Sequence, residues 1–399
     1  MSVRQTKNGG KIMKYQATVF GQLLQLLPRN QFQSIVDHYK GDFKTHKLNC
    51  WTQFVTMAYS QMRQRHSLRD IEQGLLIQQS KLYHLGITPI KRSTLSDANA
   101  RRDYRIYEDS FHLLLRKCQA LSKRRFEHTE LLTSLDATII ELCYSMCPWA
   151  HFQQTKGALK LHLHYDHSTD LPHFVHLTEG KVYESPIAEK VTFKPNSFLV
   201  FDRGYRKYSW FYHLHLNNVT FVTRPHSTFS YTVIGQHDVD PDSAVISDED
   251  IWLPSLKSHK KRAYTVPLRL VTYRDPESGK ILKFLTNSET LSAHYVAKIY
   301  KARWKIELFF KWIKQHLKLK TFLGTSKNAV FTQVWIAMIV YLLLWFIKQQ
   351  TRFKRSLHAL STIIFEAIFE RVHIIEILNL KPRQTIPNFS SFQLSFKDF

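Results

Sequence analysis

At 399 residues the chain is too long for one compact core, so two or three domains are expected. Hydrophobic residues make up 44% and aromatics 13%, which excludes a disordered chain, and 12 glycines with 13 prolines exclude a collagen-like or linker-dominated one. Lys and Arg number 56 against 32 acids, a net charge of +24 that a polyanion such as DNA would relieve.

The opening MSVRQTKNGGKIMK is not a signal peptide, and four cysteines are too few for a disulfide framework, so a reducing cytoplasm is expected. The first 130 residues read as helical. Trp51, Phe54, Val55, Ala58, Tyr59 and Met62 recur at helical spacing and predict one apolar face. SLRD places an N-cap at Ser67 with Asp70 three residues on. A Gly-Pro turn in HLGITPIK then leads to a second helix start at Ser93, with Lys91, Arg92, Arg101, Arg102 and Arg105 clustered around it. A helix, a turn and a basic helix fit a helix-turn-helix-like DNA reader, and they fit an ordinary helical hairpin with a solvated face almost as well. Over residues 1–130, 22 basic side chains stand against 10 acidic ones, which favours DNA contact.

From about residue 131 the texture changes to strands: LLTSLDATIIELC, ALKLHLHYD and PHFVHLTEG, then a short helix through SPIAEKV. The strand SFLVFD, a helix through YSWFYHLHL and the strand VTFVTRP follow, an order that predicts an α/β sheet flanked by helices. Asp136 lies inside an apolar strand, where an unpaired carboxylate is costly. Asp202 ends another and is followed by Arg203-Gly204-Tyr205; the C-terminal edges of strands are where α/β sheets place ligands. Residues 226–290 read as a β-rich insertion, with two strands joined at Asp275-Pro276-Glu277-Ser278-Gly279 and an acidic run from Asp238 to Asp250 expected to be a solvated loop.

The sharpest pattern comes next. In SAHYVAKIYKARWKIELFFKWIKQHLKLK, Tyr300, Arg303, Glu307 and Lys314 fall at roughly 0°, 300°, 340° and 320° around one helix, at about 100° per residue. Ile299, Ile306, Phe310, Ile313 and Leu317 form an adjacent apolar stripe. An i,i+4 charge pair explains Arg303 and Glu307 alone but not the whole stripe, which sets one acid among two cations and a phenol. Beyond it, the apolar run from Val334 to Ile347 spans 14 residues, too few to cross a bilayer, and reads as a core helix. Cys143, Cys147 and His151 lack a fourth zinc ligand, so buried thiols are expected; His162 and His164 read as structural or surface residues, and Trp252 as a core or surface residue.

With these residues in place, the chain resembles bacterial insertion-sequence transposases of the D-D-E class, in the large IS-four family, whose signature is Tyr-x2-Arg-x3-Glu-x6-Lys. YKARWKIELFFKWIK fits that spacing without departure, and SLDATIIELC and FLVFDRGY resemble the family's two aspartate segments. The resemblance implies a ribonuclease-H-like catalytic core with a β-rich insertion, preceded by an all-α N-terminal domain. Asp136 would lie on the first strand, Asp202 after the fourth and Glu307 on a late helix, as catalytic residues and metal ligands. Tyr300, Arg303 and Lys314 would grip transposon-end DNA, with Arg203 a further DNA contact.

The implied organisation is a helical DNA-binding domain over 1–130, the first part of the core over 131–225, the insertion over 226–290, core completion over 291–350 and a helical tail over 351–399. The implied activity is two-metal cutting of transposon ends and their joining to target DNA. Two Mg²⁺ ions serve it, with Mn²⁺ able to substitute, in a homodimer at the bacterial nucleoid and away from any membrane. Competing readings are a metal-dependent nuclease, an inactive DNA-binding relic on the same fold, and a tyrosine recombinase with Tyr300 as nucleophile.

Overall fold

The computed structural model describes residues 17–45, 48–122, 131–153, 156–253, 264–317 and 321–379. The opening segment discussed above and tail residues 380–399 lie outside these.

Helices come first: α1 (Val19–Leu24), α2 (Arg29–His38), α3 (Cys50–Met62), α4 (Leu68–Ile77), α5 (Arg92–Arg101) and α6 (Arg105–Leu121). α3 is not the one-sided helix its spacing predicts, because every residue from Cys50 to Met62 is buried. Its central glutamine is satisfied internally: Gln53 donates to Asn99 Oδ1 at 2.8 Å and accepts from Arg102 Nη1 at 2.9 Å. Ser67 caps α4 as expected, its hydroxyl accepting from the Asp70 N–H at 3.1 Å. α5 begins at Arg92 rather than Ser93 and has no side-chain cap. A 3₁₀ turn over Gln79–Leu85, closed by Gly86 in the left-handed region (φ 67°), separates α4 from α5. The connection is therefore longer than the tight turn of a helix-turn-helix. Arg102 leaves the expected basic face, because it is drawn inward by Gln53 and by the Leu48 carbonyl.

One ten-stranded sheet follows, built of β1 (Leu132–Leu142), β2 (His151–Gln153), β3 (Lys156–Asp166), β4 (Leu171–Glu179), β5 (Ser197–Phe201), β6 (Val219–Thr223), β7 (Thr232–Gln236), β8 (Val245–Trp252), β9 (Leu268–Arg274) and β10 (Ile281–Thr286). β3 pairs antiparallel with β1 and β4, whereas β1, β5 and β6 run parallel, giving the order β4-β3-β1-β5-β6. This five-strand arrangement is the ribonuclease-H-like core that the resemblance implies. The strands after residue 226 extend the same sheet, since β10 pairs with β6 and is followed outward by β9, β8 and β7. Part of the acidic run is thus in register, not in a loop: Asp248 sits on β8 and forms a buried bidentate pair with Arg269 of β9, at 2.7 and 2.5 Å.

The remaining helices are α7 (Ser185–Ala188), α8 (Tyr208–Leu216), α9 (Ala293–Ala302), α10 (Trp304–His316), α11 (Lys327–Gln350), α12 (Leu357–Glu366) and α13 (Ile374–Leu378). Alternation along β5 decides which helix each face meets: Leu199 and Phe201 pack with Trp210 and Phe211 of α8, Phe198 and Val200 with Val296 and Ile299 of α9. The apolar run belongs to a longer helix than expected. α11 has 24 residues and is long and apolar enough to cross a membrane, yet 94% of its most apolar window is buried inside the protein. It packs against α3, α5 and α6 on one side and α12 on another. Trp345 and Tyr341 of α11 donate to the carbonyls of Thr169 and Asp170 at 2.9 and 2.7 Å, tying it to the sheet. The N-terminal helices therefore do not enclose a core of their own. α1 completes the same body through Val19 and Phe20 N–H bonds to the carbonyls of Glu370 and Ile368, both 2.9 Å.

Candidate active site

Two strand registers place the first two acids. Leu135 of β1 pairs with Phe201 of the parallel strand β5, so the next residues, Asp136 and Asp202, lie side by side. Leu135 and Phe201 both pack on the α8 side, and alternation turns Asp136 and Asp202 to the opposite face, toward α9 and α10. α10 supplies the third acid, Glu307. Its apolar residues Ile306, Phe310, Ile313 and Leu317 are buried as the periodicity predicts, with Ile299 of α9.

The helix itself is not continuous. It breaks at Arg303, which ends α9 and caps α10, so the expected single stripe is divided between two helices. The break gives Arg303 a central place: its guanidinium reaches Asp136 Oδ2 at 3.4 Å and Glu307 Oε1 at 2.5 Å. Its Nε is buried without a hydrogen-bond partner. Tyr300, on α9, does not line the cleft. Its ring packs 5.0 Å from that of Phe284, and Arg303 Cζ lies 5.5 Å from its centroid.

The resulting cleft, about 510 Å³, is lined by Asp136, Asp202, Arg303, Glu307, Lys311 and Lys314, with Thr138, Phe310 and Gln315 completing the wall. Burial first, and the neighbouring Asp202 second, push the Asp136 carboxyl up to about 7. Burial opposes the charge on Arg303, but Tyr300, Glu307 and Asp136 more than offset it and hold its pKa above the usual value. Oxygen donors crowded on three elements suit a hard divalent cation. Among the described residues no three acids or histidines converge at coordinating distance. Arg303 stands between Asp136 and Glu307, where a shared cation would sit.

The other sequence-predicted residues lie apart. Arg203 is exposed and lines a separate cavity of about 210 Å³ with Arg206, Arg224 and His226. His162 and His164 are buried in β3, where burial pushes both down to about 3, and His162 bonds Thr178 Oγ1 at 2.9 Å. Cys50, Cys118 and Cys147 are buried, but Cys143 is exposed, against expectation; it sits in a turn, with Ser145 Oγ 3.2 Å from its Sγ. Trp252 is partly exposed on β8.

Sequence reasoning missed Lys311, although at roughly 20° from Tyr300 it shares the stripe. It also missed Glu184, which carries no local signal. Burial, reinforced by Asp202 and opposed by Lys160, raises the Glu184 carboxyl.

Comparison with known proteins bears on this geometry. The transposase DDE domain matches residues 127–343, the stretch that carries all three acids, and a domain of unknown function, DUF4372, matches residues 15–88. The chain is 32% identical to a putative transposase, y4zB, of Sinorhizobium fredii, over 76% of this chain and 85% of that protein. It is 29% identical to a probable transposase for the insertion sequence element IS5377 of Geobacillus stearothermophilus, over 70% and 73% of the two. Identity to a putative transposase for the element IS4SA of Synechocystis is 27%, over 63% and 70%.

Proposed function

This chain belongs to the transposase DDE domain family of insertion sequences, and from that premise we propose that Asp136, Asp202 and Glu307 are its catalytic carboxylates. The observation that carries the proposal is their shared cleft, where the middle of β1, the end of the adjacent β5 and one helix present three acids beside Lys311 and Lys314. The family uses divalent metal, and on this reading the three acids would hold two Mg²⁺ ions, with Mn²⁺ able to substitute. Held by these carboxylates, such ions would stabilise charge on the attacking and leaving oxygens of an in-line displacement.

The chain's own residues then divide the work. Asp136 and Asp202, fixed by strand register, form the rigid wall. Arg303 leaves Asp136 and Glu307 for a DNA phosphate, so that DNA arrival clears the place for a cation. Lys311 and Lys314 hold phosphates further along α10, and Tyr300 supports Arg303 from behind. Arg203 meets the backbone from the neighbouring cavity. In the first step water attacks the end phosphodiester and the 3′ oxygen leaves. In the second, that 3′-hydroxyl attacks target DNA and displaces its 3′ oxygen. Tyr300 packs under Arg303 and outside the cleft wall, which disfavours a covalent tyrosyl intermediate.

The α4–α5 region contributes a basic groove of about 670 Å³ lined by His66, Arg69 and Arg92, suited to duplex contact. Two transposon ends held together call for two chains, acting at the nucleoid in the cytoplasm. The test is cleavage and joining of labelled insertion-end DNA with Mg²⁺, comparing wild type with Glu307→Ala. Loss of both steps is expected; activity that survives the substitution or survives chelation refutes the assignment, and cleavage without joining identifies a nuclease.

A further inference from the structure

A fourth carboxylate approaches the catalytic acids from outside the cleft. Glu184 precedes α7, in the segment that leaves β4 at Glu179. Lys160 of β3 anchors that segment, donating to the Val182 carbonyl at 3.0 Å and pairing with Glu184 Oε1 at 3.5 Å. The other oxygen of Glu184 turns toward Asp202. A Cβ placed on Gly204 would lie 3.5 Å from Glu184 Oε2 and 3.0 Å from Asp202 Oδ1, so the two carboxylates flank the space this glycine leaves open. Asp202 accepts from the Gly204 N–H at 2.9 Å and makes no ion pair among the described residues. The Glu184 side chain is only 25% exposed, so its charge is weakly screened.

Holding a second carboxylate beside an uncompensated one is costly unless a cation joins them. A carboxylate one water removed from a bound ion accepts hydrogen bonds from the ion's water and orients its direct ligand. We propose that Glu184, anchored by Lys160, is a positioning residue of the catalytic site, holding the water shell of the divalent cation bound at Asp202 across the gap at Gly204. The inference rests on the reading of Asp202 as a metal ligand, and it adds a fourth acid, from a loop, to the three.

Mn²⁺ binding to the full chain carrying insertion-end DNA with an uncleavable scissile linkage, followed by electron paramagnetic resonance, tests it apart from catalysis. Glu184→Gln is expected to weaken Mn²⁺ binding about 10–100-fold, the usual cost of losing such a partner, and to leave the melting temperature unchanged. Glu184→Asp, which keeps the charge, should recover much of the affinity. Unaltered Mn²⁺ affinity in Glu184→Gln overturns the proposal when Asp202→Asn loses binding. If Asp202→Asn also binds as wild type, the carboxylate site itself has been misread. Should Glu184→Gln fail to fold, iron-directed backbone cleavage of the wild type decides: Fe²⁺ with peroxide should cut beside residues 136, 184 and 202, and absence of the cut at 184 refutes the role.

Discussion

Two acids in one sheet have opposite fates. Asp248, on the outer half, meets Arg269 in a two-pronged pair, and Arg269 also donates to the Leu291 carbonyl at 2.5 Å. Asp136, on the inner half, shares a single guanidinium with Glu307 and stands beside Asp202. The first site is sealed and satisfied. The second gathers three acids around one guanidinium that reaches two of them, an arrangement that a bound cation would tie together. The contrast separates an ion pair that holds strands together from one that keeps a place open.

The largest effect should come from the open site. Asp202→Ala is expected to reduce strand cleavage about a thousandfold or more, at least roughly 4 kcal/mol of barrier, without lowering the melting temperature. An active Asp202→Ala protein would break the comparison at once. Next comes the sealed pair: Arg269→Ala leaves Asp248 buried and alone, and chemical denaturation should show a loss of about 3–5 kcal/mol. A change near zero would mean that the pair is no more structural than the open one.

A smaller effect runs the other way. Because the Asp136 carboxyl is raised to about 7 in the fold, ionising it costs stability. That cost is absent below the unfolded carboxylate range near pH 4, grows as pH rises toward 7, and is complete above it. Asp136→Asn should therefore be more stable than metal-free wild type by about 1–3 kcal/mol at pH 8 and equal to it at pH 4. Equal stability at both pH values would show that Arg303 already neutralises Asp136 in full. The smallest expected effect is at the exposed Lys301–Glu277 pair, where Lys301→Ala should leave melting unchanged.

How much of this was legible in the sequence depends on how far apart the partners lie. The Glu307 helix could be read because its neighbours recur at helical spacing, and the order of strands followed from runs of apolar and β-branched residues. The break at Arg303 could not, since neither glycine nor proline marks it, and its contact with Asp136 lies 167 residues away. Asp136 and Asp202 become neighbours through the parallel register of β1 and β5, which no local window contains. Glu184 reaches them through Lys160, and Arg102 turns inward because Leu48 and Gln53 accept from it. In the last two cases a side chain that looks solvated along the chain is claimed by a distant partner.

The position of α11 has a consequence for synthesis. Of the helices that a ribosome makes first, α1, α3, α5 and α6 find their common apolar partner only when residues 327–350 emerge, and α1 waits longer still for the carbonyls of Ile368 and Glu370. Contacts of such long sequence separation close late and slowly. The nascent N-terminal half therefore carries exposed apolar faces through most of translation, and a chain stopped short of α11 would have neither its helical body nor a finished cleft.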